Sequence, residues 1–343
     1  MAGKWKRRLL KAAGYGAAVA AVVVGVGITA TVGWRPFVGP RARPLAARAF
    51  EPTPARLERG RYLVESVSAC FACHTTYDPK DPARSYAAAD RGAGGSMAAD
   101  GLPWLVAPNI TPDRKTGAGA WTDDMLARAI REGIGHDGRA LFPAMPYQSY
   151  RAYSDEDVAS IVVYLRSIPA VRNELPKSEI PFPLSRLINA APEPLDGPVA
   201  EPDLSTRVKR GGYVVRAADC AGCHTPRGDK GAPLPGMEYA GGNPFDDGRG
   251  GAVTPSNLTP DATGIPYYDE ALFAEAMRAG HVKARKLSPR MPWWVYRGMS
   301  DEDLRSVFAY LRTLRPVEHR VDNTERPTFC KLCKQRHGLG ERN

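Results

Sequence analysis

Hydrophobic residues along this chain fall into one long unbroken run and two matched sets of short periodic ones. The unbroken run is Ala12 to Trp34, 23 uncharged residues preceded by Lys4, Lys6, Arg7, Arg8 and Lys11. As a helix it is about 34 Å long, enough to cross a hydrocarbon layer of about 30 Å. The periodic stretches recur in order. Leu57, Gly60, Tyr62, Leu63 and Val64 are answered by Val208, Gly211, Tyr213, Val214 and Val215. Leu126, Ala129 and Ile130, before Gly133, are answered by Leu272, Phe273, Ala276 and Met277, before Gly280. Val158, Ile161, Val162 and Leu165 are answered by Leu304, Val307, Phe308 and Leu311. This last pair follows Ser154-Asp155-Glu156-Asp157 and Ser300-Asp301-Glu302-Asp303, a capping hydroxyl with an acidic first turn. The spacing is helical throughout, so the pattern predicts an all-α chain: one N-terminal transmembrane helix followed by two tandem helical domains of one design.

The boundaries follow from the same pattern. Residues 1–34 form a basic flank and anchor, and the Pro- and Arg-rich 35–54, with no apolar face, read as a tether. The first repeat covers 55–170 and the second 205–316. A Pro-rich linker, 171–204, joins them, its apolar stretch Ile180 to Ile188 packing on one domain, and 317–343 is a tail. Matching glycines at 60 and 211 suggest a close helix crossing in each repeat. The cationic flank stays in the cytoplasm by the positive-inside rule, which puts everything after Arg35 on the periplasmic side of the inner membrane. A cleaved signal peptide is the competing reading, but the run exceeds a signal core of about 7–15 residues and lacks a tidy cleavage site.

The formal charge of +10 looks like a nucleic-acid signal and is not one. Five Lys/Arg belong to the flank, leaving 42 against 37 acidic residues in the exported part, so no nucleic-acid partner is expected and partner contacts are local.

The chemistry is also doubled. Cys70-Phe71-Ala72-Cys73-His74 recurs as Cys220-Ala221-Gly222-Cys223-His224. Two thiols three positions apart can each add to a vinyl group of one porphyrin, and the adjacent His can reach its iron; each stretch reads as a c-type haem attachment site. A disulfide or half a zinc site is the bland reading of one Cys-x-x-Cys, and duplication with His argues against it. Pro143-Ala144-Met145-Pro146 and Pro289-Arg290-Met291-Pro292 place a Met on a stiff proline-framed loop 71 and 67 residues beyond His74 and His224. These Met are the expected second axial ligands. His136 and His281, nine and ten residues before them, offer a bis-histidine alternative, and packing methionines another. Asn109-Ile110-Thr111-Pro112-Asp113 and Asn257-Leu258-Thr259-Pro260-Asp261 read either as simple turns or as Asn109, Thr111, Asn257 and Thr259 holding haem propionates. A third Cys-x-x-Cys, Cys330 and Cys333, has Lys334 where His belongs, and a local disulfide is the reading it best supports.

The run from Cys-x-x-Cys-His through Asn-Ile/Leu-Thr-Pro-Asp and Pro-x-Met-Pro to Ser-Asp-Glu-Asp and Tyr164-Leu165 or Tyr310-Leu311 resembles class I cytochrome c domains. In particular it resembles those in the cytochrome subunits of membrane-bound bacterial alcohol, aldehyde and gluconate dehydrogenases. The resemblance implies two covalent haem c groups, with His74, Met145, His224 and Met291 on iron. It also implies electron transfer between a periplasmic dehydrogenase subunit or quinol-oxidising complex and an acceptor such as a terminal oxidase. Those subunits typically carry three haem domains, and this chain carries two. The alternative function is a dihaem enzyme of peroxidase or thiosulfate dehydrogenase type, which needs an open iron position that two His/Met sites do not offer.

Overall fold

The apolar run is helix α1, Ala2–Ala30, long and apolar enough from Lys4 onward to cross a membrane, with none of that stretch buried against the rest of the protein. The computed structural model describes residues 2–76, 88–98, 101–228, 231–246, 252–283, 285–321, 324–329 and 336–339; Cys330 and Cys333 lie outside them. After α1 the chain turns at Gly33, whose positive φ of 68 suits a residue without a side chain, into the short α2, Arg35–Val38.

Two helical units follow, built alike. The first contains α3 (Pro54–Tyr62), α4 (Cys70–Cys73), α5 (Asp123–Glu132), α6 (Tyr147–Tyr150) and α7 (Asp155–Ser167). After a linker carrying α8 (Leu184–Leu187), the second contains α9 (Arg207–Ala217), α10 (Cys220–His224), α11 (Glu270–Ala279), α12 (Trp293–Tyr296) and α13 (Asp301–Leu311). Sheet among the described residues is confined to short antiparallel pairs, such as Gly95 and Ser96 opposite Ala107 and Val106.

The expected caps at Ser154 and Ser300 form, and four more join them. Thr53, Thr122, Ser154, Thr206, Asp269 and Ser300 each accept a backbone N–H three residues on, and α5 and α11 end at Gly133 and Gly280, both with φ of 70. One local feature is not repeated. After α3 the helix widens into a π-turn over Leu63–Val67, with the Ser68 N–H on the Leu63 carbonyl, whereas α9 runs straight to Ala217.

Within each unit the first helix packs on the last, α3 on α7 and α9 on α13. A Cβ on Gly60 would lie 2.0 Å from the Ser160 carbonyl oxygen, and one on Gly211 would lie 1.9 Å from that of Ser306. The crossing is therefore backbone on backbone, and glycine is the residue that permits it.

The units meet through an exchanged pair of contacts. Tyr62 of α3 donates to Asp303 and accepts the Ser300 N–H at the start of α13, while Tyr213 of α9 donates to Asp157 and accepts the Ser154 N–H at the start of α7. Equivalent residues make reciprocal bonds, so the two halves are related by an approximate twofold axis. Tyr153 adds a bond from its hydroxyl to the Ala217 carbonyl, 3.2 Å.

The stretch expected to be a free tether is strapped to the first unit. Arg43 forms a two-nitrogen bridge to Asp124 at 2.8 Å and reaches Glu132 at 2.8 Å, while the Ala46 and Phe50 N–H groups bond Asp124 and Asp123. Both carboxylates that Arg43 meets are fully buried, so the arginine meets a charge the interior cannot leave unpaired. The linker also hugs this unit, through Ser178 on Val106, Glu179 on Trp104 and Leu195 on Glu132. Its apolar stretch is only partly covered: Ile188 is buried, whereas Phe182 is 83% exposed.

Removing one tyrosine hydroxyl leaves a buried carboxylate short of a donor, a loss of about 1.5–3 kcal/mol for a hydrogen bond to a charged group. Tyr213→Phe is expected to lower the free energy of unfolding by that amount in a denaturant titration. The double variant Tyr62→Phe/Tyr213→Phe is expected to melt in two calorimetric steps where the parent melts in one. A single unchanged transition in the double variant would show that the exchanged bonds do not couple the units.

Candidate haem-binding cavity

Each Cys-x-x-Cys-His stretch begins after a residue forced into the left-handed region, Ala69 and Asp219, both with φ of 52. That turn ends the long helix and starts a one-turn helix, α4 or α10, whose winding separates the two thiols. Cys70 and Cys220 are half-buried, and Cys73 and Cys223 are exposed. Burial pushes the Cys70 and Cys220 thiols up to about 12. They are therefore neutral thiols rather than thiolates, and among the described residues no cluster of three or more His, Cys, Asp or Glu could hold a metal ion.

The imidazoles turn inward. His74 and His224 are each 8% exposed, and their Nδ1 atoms lie 2.7 Å from the carbonyl oxygens of Pro108 and Ser256. A carbonyl can only accept, so Nδ1 carries the proton and Nε2 is left with its lone pair. Burial also holds both rings in the neutral form, outweighing the backbone bond that works the other way.

Met145 and Met291 sit on matching turns. The Met145 N–H bonds the Phe142 carbonyl and its own carbonyl accepts from Tyr147; Met291 does the same with Ser288 and Trp293. Both methionines line one cavity of about 570 Å³ together with Cys70, Cys73, His74, Cys220, Cys223 and His224. The cavity runs unbroken from one site to the other, with apolar walls that include Ile130 and Leu165 on one side and Met277 and Leu311 on the other.

The two histidines of the bis-histidine alternative are not equivalent. Leu141 N–H bonds Gly133 O and Leu287 N–H bonds Gly280 O, which aligns the loops. The first interval is 141 − 133 = 8 and the second 287 − 280 = 7, so His281 stands where Ile134 does. His136 lines the cavity, stacked on Trp121 at 4.3 Å. His281 instead lies 3.5 Å from Glu275 and is not part of the lining.

The Asn-Thr pairs have other employment than propionates. Asn109 Oδ1 accepts from both the backbone and the hydroxyl of Thr111, and its Nδ2 donates to Val171 O and Thr116 Oγ1. Asn257, Thr259, Val317 and Thr263 repeat the arrangement. All four side chains are at most 2% exposed and none lines the cavity. They staple the loop after the haem motif to the segment leaving the last helix, as the turn reading of these stretches has it.

Three features escaped the sequence reading. Tyr150, Tyr153 and Tyr296 line the region between the sites, with Tyr150 donating to Ser68 O at 2.7 Å and Tyr296 to Ala218 O at 2.9 Å. The recurring Tyr-Arg dipeptide, Tyr150-Arg151 and Tyr296-Arg297, was the available signal. Arg139 and Arg285, equivalent when the loops are aligned on Leu141 and Leu287, also line the cavity. Asp219, which replaces Ala69 of the first repeat, accepts a bond from Ser149 across the interface.

The family described as "Cytochrome c" matches residues 208–315, and "Cytochrome C oxidase, cbb3-type, subunit III" matches 55–165. A "Diheme cytochrome c-type" protein of Cereibacter sphaeroides is 30% identical over 259 residues, covering 73% of this chain and 83% of that protein. The "Alcohol dehydrogenase (quinone), cytochrome c subunit" of Gluconobacter oxydans is 29% identical over 292 residues, 79% of this chain and 57% of the relative. The "Gluconate 2-dehydrogenase cytochrome c subunit" of Pantoea cypripedii is 30% identical over 287 residues, 76% of this chain and 60% of the relative. The chain thus spans little more than half the length of either dehydrogenase subunit.

Asp219 gives a pH prediction. Burial raises its carboxyl above the ordinary range, against the opposing pull of the Ser149 hydroxyl, Arg227 and the Gly222 N–H. A raised carboxyl binds its proton more tightly folded than unfolded, so it costs stability as pH climbs above the unfolded value of about 3.9, and none below it. Asparagine tolerates the left-handed backbone and keeps an acceptor for Ser149. Asp219→Asn is therefore expected to be more stable than the parent at pH 7 in a denaturant titration, with the gap narrowing toward pH 4. A variant less stable at pH 7 would contradict this.

Proposed function

Because the chain belongs to the cytochrome c family, we propose that it is a membrane-anchored dihaem cytochrome that carries electrons from a dehydrogenase or quinol-oxidising donor toward a terminal acceptor on the extracytoplasmic face. The observation that carries this reading is the doubling of a complete donor set, two thiols, an imidazole and a thioether, around one continuous cavity. The residues fit the group. Engaging Nδ1 on a backbone carbonyl leaves Nε2 of His74 and of His224 for iron and fixes each ring's tautomer. Met145 and Met291, on their proline-framed turns, would supply the second ligands, and the cysteines would form the thioether links. Arg139 and Arg285 are placed to meet acidic side chains of the bound group, the role the Asn-Thr pairs do not fill.

Haem, when bound, supplies a one-electron couple at each site. The protein's part is to exclude water with apolar walls, to saturate the coordination positions and to keep the two sites in one structure. Tyr150, Tyr153 and Tyr296, all buried, line the passage between them. A His/Met pair leaves no position for a small substrate, which favours transfer over turnover. The relatives named as dehydrogenase cytochrome subunits support a donor of that kind.

Two measurements test the reading. Mass spectrometry of the polypeptide after acid-acetone extraction is expected to retain two haem masses; three would bring Cys330 and Cys333 into haem attachment, and one would undo the doubled site. Met145→His and Met291→His are each expected to lower the midpoint potential of one haem without loss of attachment, because thioether ligation favours the ferrous state. If His136→Ala abolishes low-spin character while Met145→His changes nothing, the first site's ligand is His136.

A further inference from the structure

The chain leaves α1 through a fixed turn. The Gly33 N–H bonds Ile28 O at 2.8 Å and Trp34 Nε1 bonds Thr29 Oγ1 at 3.1 Å, so α2 is held at the end of the apolar helix. There α2 packs against α8 and the turn Ile188–Ala190 of the linker, burying Pro36 and Ile188 between them. Much of this small assembly is nevertheless bare. Trp34 is 49% exposed, Phe37 59%, Val38 68%, Phe182 83% and Leu187 41%. Scattered single apolar residues on a surface need no explanation, but five carried by two packed segments some 150 residues apart in sequence do.

Their setting identifies the occupant. The patch continues directly from the exposed apolar surface of α1. It carries Trp34, the residue type that favours the boundary between hydrocarbon and headgroups. The exposed Arg35, Arg41 and Arg186 surround it, and neither residues 35–50 nor residues 180–190 contain an acidic residue. A surface apolar at its centre, cationic at its rim and free of carboxylates matches an anionic lipid surface. We propose that α2 and the Phe182–Leu187 segment of the linker form a second, interfacial membrane contact, seated at the headgroup boundary of the bilayer that α1 crosses.

This rests on the anchored reading and extends it. The segment beyond α2 is bridged to α5 through Arg43, Asp124 and Glu132, and the linker beyond α8 is bonded to the same helix through Leu195. The first haem site is thereby mounted at a set height and tilt over the membrane rather than swung on a leash. A mount of this kind favours a partner whose redox centre lies at the same surface.

The test uses the full-length holoprotein in vesicles of phosphatidylethanolamine and phosphatidylglycerol, with Cys330→Ser and Cys333→Ser so that one added thiol can carry a nitroxide. Labels go on Phe182→Cys in the patch, Val23→Cys in α1, and Glu174→Cys on the exposed, polar part of the linker. Accessibility is read by power saturation with oxygen, which concentrates in lipid, and a nickel chelate, which stays in water. The label at 182 is expected to show an oxygen-to-nickel ratio several-fold above that at 174 and below that at 23. A ratio at 182 equal to that at 174, with 23 in the bilayer, overturns the patch while leaving the anchor; it would point to a protein occupant. A lipid-like ratio at 182 in a chain cleaved before residue 34 upholds the patch without the anchor, and water-like ratios at both 182 and 23 overturn both.

Discussion

The contact on which each unit depends is the one between Gly60 and the Ser160 carbonyl, and its twin between Gly211 and Ser306. Backbone touches backbone at these crossings. Any side chain at either glycine would push the first and last helices of the unit apart, and overpacking of this kind costs about 1–3 kcal/mol. The crossing also sets everything downstream. The haem motif begins where the first helix ends, and the methionine turn leads into the last helix, so the distance between imidazole and thioether is governed by how closely those two helices meet. The same last helices offer Asp157 and Asp303 at their N-termini, and the tyrosines two residues after the crossing glycines reach over to bond the other unit's aspartate. One local packing constraint, used twice, therefore sets both the sites and their mutual placement.

What could be read from sequence was chemistry with a fixed local spacing. The thiols and imidazole of Cys70-Cys73-His74, the proline frame of Met145, and the serine-acid starts of α7 and α13 all act within a few residues, and the structure places each where its spacing implies. The reading failed where a side chain's use is decided by something distant. Arg43 meets partners 81 and 89 residues away, so residues 35–54 looked like a spacer without structure. For Asn109 a turn-forming role and a ligand-holding role look the same in sequence and both stayed open; only the Val171 carbonyl, 62 residues on, shows where its amide goes. The histidine pair misled for a smaller reason. Measured back from the methionines, His136 and His281 look equivalent, but measured from the helix-ending glycines they differ by two positions, and the backbone bonds side with the glycines.

The two halves part company mainly where each faces something that the other does not. In α5, Asp124 and Glu132 are buried acids, and aligned on the terminal glycines their counterparts in α11 are Ala271 and Ala279. Only the first half receives the segment coming from α1, and only it holds the carboxylates that bind Arg43. At the start of the second haem helix Asp219 replaces Ala69, which puts a carboxylate beside one set of thiols and not the other, against Ser149 of the facing unit. A negative charge near one iron stabilises its ferric form, so with haem bound the two sites would be electrostatically unequal even with identical ligands.

Inequality of this kind gives a direction to a pair of sites that symmetry would leave without one. Residues 43–50 dock on α5, so the chain coming from α1 is fastened beside the first site and not the second. Asp219 lies at the seam, on the second unit's side. A carboxylate that lowers the second site's potential would make transfer from the second site to the first the downhill direction.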